Sequence, residues 1–201
     1  TTLLKLLLGY YSPVAGEILI GNQPLSQFSK NYWRTQCGAV LQEGFIFSDT
    51  IANNIAVSDD IPDQEKLIKA VSVANVKEFI YKLPMSFNTM IGQDGQNLSQ
   101  GQKQRILISR AVYKDPPFLF FDEATNSLDA NNEKVILENL SKFYKGKTVI
   151  VVAHRLSTVM NADRIVVISN SKIVEEGTHE ELTILQKEYF NLVKNQLELG
   201  N

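Results

Sequence analysis

The chain has 201 residues, 44% hydrophobic and 21% charged, values of a globular protein that can bury a real core in one domain, or in one domain with a subdomain. Its net charge of −2 gives no electrostatic case for nucleic acid or an anionic membrane as partner. The single cysteine, Cys37, excludes an internal disulfide and fits a reducing compartment; no apolar run approaches the ~20 residues of a membrane helix, and the start lacks the marks of a secretory signal. The chain by itself is expected to be soluble, which leaves a membrane-bound parent open.

In chain order, Leu3, Leu4, Leu6, Leu7 and Leu8 form the apolar part of a helix ended by Gly9 and Pro13. Glu17 to Ile20 reads as a strand closed by Gly21-Asn22, and Cys37 to Leu41 as another, leading into Gln42. Residues 44–58 read as loop, with Phe45, Ile46, Phe47, Ile51 and Ile55 partly exposed. Gln64 to Leu83 carries a helical apolar period with Pro84 beyond it, and Gln100 to Tyr113 is a second helix halted before Pro116-Pro117. A strand over 118–122, a helix near 131–144, a strand over 147–152 and a helical turn follow. Arg164–Ile168 and Lys172–Glu175 form a hairpin, and Thr178 to Leu197 is helical, broken near Gln186. Strands alternating with helices indicate an α/β fold with a mainly parallel sheet, and the strand-poor stretch 43–115 reads as a helical insert.

Phe118-Leu119-Phe120-Phe121-Asp122-Glu123 is the most informative stretch. A short all-apolar strand belongs in a buried parallel sheet, and ligands of such sheets lie beyond the strands' carboxyl ends. Asp122 and Glu123 fall there, where one carboxylate can hold a metal ion and its neighbour can polarise a reacting water; the plainer reading is two solvated acids. His154 follows the apolar run Thr148–Ala153 and is expected at the same edge, although a lone histidine is more often a structural hydrogen-bonder. Gln42, after the strand ending at Leu41, can bind a metal or a water without adding charge, or be a simple polar loop residue. Ser99-Gln100-Gly101-Gln102 reads as a capping box at a helix start, where backbone N–H groups can also meet a phosphate. Asp129 is expected as an N-cap. Thr178–Glu181 is a second capping box, with His179 on the surface. Tyr10, Tyr11 and Trp33 read as packing residues.

Together these segments resemble the nucleotide-binding domain of ABC transporters over essentially the whole chain. Leu98–Gln102 is similar to the family signature, with Gln100 where glycine is commoner. Phe118–Glu123 resembles Walker B plus the catalytic glutamate, Ser127-Leu128-Asp129 the D-loop, Gln42 the Q-loop glutamine and His154 the switch histidine. Thr1-Thr2 before a leucine-rich helix resembles the end of a Walker A motif. The resemblance implies a P-loop NTPase-like ABC ATPase core, a single domain over 1–201 with a helical subdomain at 43–115. It implies ATP and Mg²⁺ as ligands, with Thr1, Gln42 and Asp122 on the metal. Thr1, Thr2, Ser99, Gln100, Gly101, Gln102 and Asp129 would lie about the nucleotide, and Glu123, His154 and Gln42 would carry the chemistry. Because Walker A is cut at Thr1, the chain as it stands is expected to bind ATP weakly and not to turn it over usefully.

Gly44–Ile51 and Thr89–Gly95 resemble exporter-type domains, in which the second stretch contacts the membrane domain; many exporters carry glutamate at the position of Gln93, and Asp94 could supply that charge. The Leu-Ser-Gln-Gly-Gln form, Phe45–Phe47 and Ala124–Asp129 look closest to peptidase-containing bacterial exporters of leader-bearing peptides. The implied partners are a transmembrane domain and a second nucleotide-binding domain, at the cytoplasmic face of the inner membrane. Two rivals stay open: a soluble ABC ATPase of translation or DNA repair, which would lack the exporter-like segments, and a P-loop-less, non-catalytic binding module, against which intact Glu123 and His154 argue.

Overall fold

The computed structural model describes every residue except Ser58, Asp94, His154, Gly200 and Asn201, with the backbone alone over residues 196–199. Its internal contacts divide the chain into Thr1–Val152 and Ala153–Asn201.

The first unit is organised by three parallel strands, β3 (Cys37–Val40), β6 (Phe118–Asp122) and β7 (Thr148–Val152), in the order β3-β6-β7. The register pairs Cys37 with Phe118 and Val40 with Phe121, and on the other side Phe118 with Thr148 and Asp122 with Val152. Side chains alternate across a strand, so β6 faces two ways. Leu119 and Phe121 enter one cluster with Ile106, Ile108, Ile136 and Leu140; Phe120 enters another with Leu4, Leu8, Trp33 and Cys37. This double burial is why the strand reads as unbroken apolar sequence. Each such fully buried side chain contributes roughly 1.5–3 kcal/mol.

The other pairings are short and antiparallel. β1 (Leu19–Ile20) and β2 (Gln23–Pro24) turn about Gly21-Asn22, so the strand expected from Glu17 shrinks to two residues, with Leu19 exposed. β4 (Asp49–Thr50) pairs with β5 (Met90–Ile91).

Helix α1 (Thr2–Leu7) follows expectation. α2 (Lys30–Gln36) was not foreseen; Ser29 caps it, and Trp33 is buried with its indole N–H donating to the Leu7 carbonyl at 2.9 Å. Tyr10 and Tyr11, expected to pack, are instead exposed, Tyr10 with the Arg34 guanidinium 5.4 Å from its ring centroid. The stretch read as loop holds α3 (Ile51–Ile55), capped by Thr50, and its Ile51 and Ile55 are fully buried. One turn is too short for a hydrophobic period to declare itself.

The helix expected over 64–83 is two, α4 (Gln64–Val73) and α5 (Lys77–Lys82), because Asn75 takes left-handed backbone at φ +50° and ends the first. α6 (Gln100–Lys114) stops at the left-handed Asp115, just before the two prolines, and α7 (Ala130–Phe143) follows β6.

The second unit holds α8 (Leu156–Val159), a hairpin of β8 (Ile165–Ser169) and β9 (Lys172–Gly177), then α9 (His179–Leu185) and α10 (Glu188–Leu199). Asn170 and Ser171 both have positive φ, as a two-residue hairpin turn demands. Gln186, at φ +51°, separates the two helices as expected. Ile165, Val167, Leu182 and Tyr189 form its core, and buried Glu175 accepts from the N–H groups of Glu188 and Tyr189 at 2.7 and 3.0 Å. The capping box at Thr178 is present, but His179 is half-buried rather than on the surface, its Nδ1 2.8 Å from the Tyr189 hydroxyl.

Candidate active site

Because the strands run parallel, their carboxyl ends share one edge. Asp122 closes β6 with only 1% of its surface exposed. Its Oδ2 accepts from the hydroxyl of Thr1, the N-cap of α1, at 2.5 Å. Thr2 is the exposed first residue of α1. Gln42 is exposed in the turn two residues beyond Val40, the β3 residue paired with Phe121. His154 lies outside the described residues.

Glu123 turns the chain sharply, in left-handed backbone at φ +52°. Its N–H donates to the Val152 carbonyl at 2.9 Å, and its Oε2 accepts from Asn126 Nδ2 at 2.6 Å. The turn is tied to α7 from beneath: the buried Thr125 hydroxyl donates to Glu133 Oε1 at 3.0 Å. Asp129 caps α7, accepting from Asn132 N–H at 3.0 Å and Asn132 Nδ2 at 2.6 Å. The Asn132 side chain and then its N–H hold the Asp129 carboxyl below the usual carboxylate range.

The start of α6 is the expected capping box: Gln102 N–H donates to Ser99 Oγ at 3.2 Å and Ser99 N–H to Gln102 Oε1 at 2.9 Å. Gln100 is exposed. A Cβ on Gly101 would lie 3.2 Å from the Ser127 carbonyl oxygen, so glycine lets the 127–129 segment approach the helix start. Arg105, one turn on, donates to the carbonyls of Gly101 and Asn75 and to Asn132 Oδ1. Ser99–Gln102 and Ser127–Asp129 therefore form one neighbourhood.

The structure also brings together the two segments 44–51 and 89–95. Asp49 pairs with Ile91 and Thr50 with Met90. Gly92, at φ +99°, lies where a Cβ would stand 2.8 Å from the Phe47 carbonyl oxygen. The outer edge is apolar: Phe45 is 66% exposed, Phe47 45% and Met90 46%, beside exposed Gln93. Asp94 lies outside the described residues.

Sequence reading missed Thr125, Glu133 and Arg105, which hold the segments about the strand ends and the start of α6, and Asn54 and Arg110, which hold the separate stretch 45–54. Asn54, fully buried, accepts from Phe47 N–H at 2.8 Å and donates to the carbonyls of Phe47, Asp49 and Thr50. Burial lowers the pKa of Arg110 from the usual arginine range.

The groups at the strand ends are a threonine hydroxyl, the buried carboxylate it bonds and, in the turn after β3, the Gln42 amide, all hard ligands. Among the described residues no cluster of three or more His, Cys, Asp or Glu could hold a metal alone. A cation here would complete its shell with waters and ligand oxygens, which suits Mg²⁺.

A family model described as "ABC transporter" matches residues 1–126. The chain is 44% identical over 182 residues to the Toxin RTX-I translocation ATP-binding protein of Actinobacillus pleuropneumoniae, covering 90% of this chain and 26% of that protein. It is 43% identical over 198 residues to the ATP-dependent lipid A-core flippase of Syntrophus aciditrophicus (strain SB), covering 98% and 33%. Among solved structures, a bacterial Atm1-family ABC exporter with ATP bound superposes with a TM-score of 0.93 at 35% identity, over 98% of this chain and 35% of that one. The chain thus spans about a quarter to a third of the length of these relatives.

Proposed function

Because this chain belongs to the ABC transporter family, we propose that it is the ATP-hydrolysing motor of an exporter, coupling hydrolysis to movement of a substrate across a membrane. The observation that carries the reading is the Thr1 hydroxyl 2.5 Å from the buried Asp122 carboxylate, with Glu123 in the strained turn immediately after it. Thr1, Gln42 and Asp122 would hold Mg²⁺, which when bound would supply charge neutralisation at the nucleotide phosphates. Thr2 lies by the phosphates at the start of α1. Glu123 polarises the attacking water and takes its proton as the water oxygen bonds to the γ-phosphorus and the bond from that phosphorus to the bridging oxygen breaks, ADP leaving with that oxygen. Asn126 keeps one oxygen of the Glu123 carboxylate fixed while the turn aims the group. His154 takes the γ-phosphate contact on the strength of the family resemblance.

Ser99, Gln100, Gly101 and Gln102 face the nucleotide held by a second such domain, with the N-terminus of α6 presenting N–H groups to phosphate. Asp129 stands beside them at the interface, supported by the contact between Gly101 and Ser127. In this reading residues 1–201 form one nucleotide-binding domain, with 43–115 as its helical subdomain. The paired segments 44–51 and 89–95, with exposed Phe45, Phe47 and Met90, are the face that meets the membrane domain at the cytoplasmic side. No helix among the described residues is long and apolar enough to cross a membrane.

A peptide substrate is the reading of the motif forms; the relatives include toxin translocators, among them Leukotoxin translocation ATP-binding protein LktB of Mannheimia haemolytica at 45% identity, as well as the lipid A-core flippase. The peptidase-containing subtype rests on the motif forms at 45–47, 98–102 and 124–129, and a cysteine-peptidase segment encoded with this chain is its test. For the motor itself, Glu123→Gln in the intact transporter is expected to keep MgATP binding while lowering phosphate release by about 10²–10⁴-fold. Release at the wild-type rate would remove Glu123 from its role.

A further inference from the structure

Arg110 lies on α6 nine residues beyond Gly101, about 13 Å along the helix axis. Its guanidinium uses three donors on a segment more than fifty residues away in sequence. Nε donates to the Asn54 carbonyl at 2.8 Å, one terminal nitrogen to the Phe45 carbonyl at 3.0 Å and the other to Asn54 Oδ1 at 3.4 Å. The guanidinium carbon also stands 5.4 Å from the centre of the Phe47 ring. Asn54 extends the grip through its own bonds to the backbone at 47, 49 and 50. Gly44 lets the stretch lie close to the same helix, since a Cβ there would overlap the Leu107 side chain. The stretch 44–54 is thereby fastened to the middle and far end of α6, while Phe45 and Phe47 keep 66% and 45% of their surface exposed.

We infer that Arg110, acting through Asn54, is a positioning residue that makes segment 45–54 travel with α6. Movement at the phosphate-facing start of that helix is then delivered to the Phe45 and Phe47 edge. The inference rests on the motor reading above and adds to it the part that carries the motion. Lysine cannot replace arginine here, because one ammonium cannot reach three acceptors set in a planar fork.

The test uses the intact transporter in vesicles of phosphatidylethanolamine and phosphatidylglycerol, comparing wild type with Arg110→Lys. Three quantities are read: hydrogen exchange of the 44–54 peptide, MgATP hydrolysis, and the distance change between spin labels in the membrane-spanning part on adding MgATP and vanadate. Exchange at 45–50 is expected to rise about tenfold or more with α6 unchanged. Hydrolysis stays near wild type, and the distance change falls by more than about half. Should Arg110→Lys not fold, Asn54→Asp carries the same test, keeping the Oδ1 acceptor and removing the amide donors to three carbonyls. Unchanged exchange shows that the clamp does not hold the segment and overturns the inference. Raised exchange with a full distance change shows that the clamp does not couple, and overturns the inference alone. A wild type that neither hydrolyses MgATP nor moves overturns the motor reading and this inference with it.

Discussion

Glu123 sits in a backbone conformation that costs a non-glycine residue on the order of 1 kcal/mol. Neighbours hold it there: its own N–H on Val152, Asn126 on its carboxylate, and the buried Thr125–Glu133 bond under the turn. Cys37 is a residue of the opposite kind, inert and structural. Its thiol is buried between the sheet and α2, and burial pushes its pKa up to about 12 from an ordinary 9.0, with the Lys114 cation opposing. A raised folded value means that the stabilising contribution is fully present below about pH 9 and is lost as pH rises toward 12. Urea midpoints measured from pH 8 upward are expected to fall less steeply for Cys37→Ala than for wild type; equal slopes would show that the thiol is not shielded. At this scale, legibility followed sequence distance. The caps at Ser99, Asp129 and Thr178 were readable because donor and acceptor lie three residues apart. Asn54 and Arg110 were not, because 56 positions separate them and nothing local marks either as a partner.

At the level of elements, α6 begins with a reciprocal cap whose loss has a separable cost. Ser99→Ala is expected to lower stability by about 0.5–2 kcal/mol in urea unfolding, from the lost cap alone. The β4–β5 pair depends on Gly92, whose φ of +99° and closeness to the Phe47 carbonyl leave no room for a side chain. Gly92→Ala should destabilise by about 1–3 kcal/mol, with the largest loss of hydrogen-exchange protection at 47–51; uniform loss over the domain would argue against a local cause. The helices missed in the sequence, α2 and α3, are seven and five residues long. Their only advance signals were Ser29 and Thr50 as caps, and their helicity comes from burying Trp33, Ile51 and Ile55 in tertiary contacts. The break at Asn75 was equally hidden, since Val71, Ala74, Val76 and Ile80 are buried on both sides of it and keep the apolar period running through.

On the scale of the whole molecule, the parallel strand core was legible because β6 is buried on both faces and its sequence shows it. Of the three antiparallel pairs outside that core, the β8–β9 hairpin was legible, while the two with strands of two residues each were less so. The proposed pairing of two domains places Ser99 opposite phosphate, so Ser99→Arg in the intact transporter should suppress MgATP turnover well beyond the effect of Ser99→Ala. Equal turnover in the two variants would mean that this helix start does not meet the nucleotide. One further consequence follows from the register that sets Cys37 beside Phe118. About 80 residues of chain must leave the ribosome between these partners, on the order of 4–16 s at ordinary synthesis rates. Through that interval β3 is a nascent strand with its hydrogen-bonding edge open, while α3 to α6 can already gather among themselves. Assembly therefore runs from the inserted helices to the sheet, and β3 gains its neighbour only when β6 emerges.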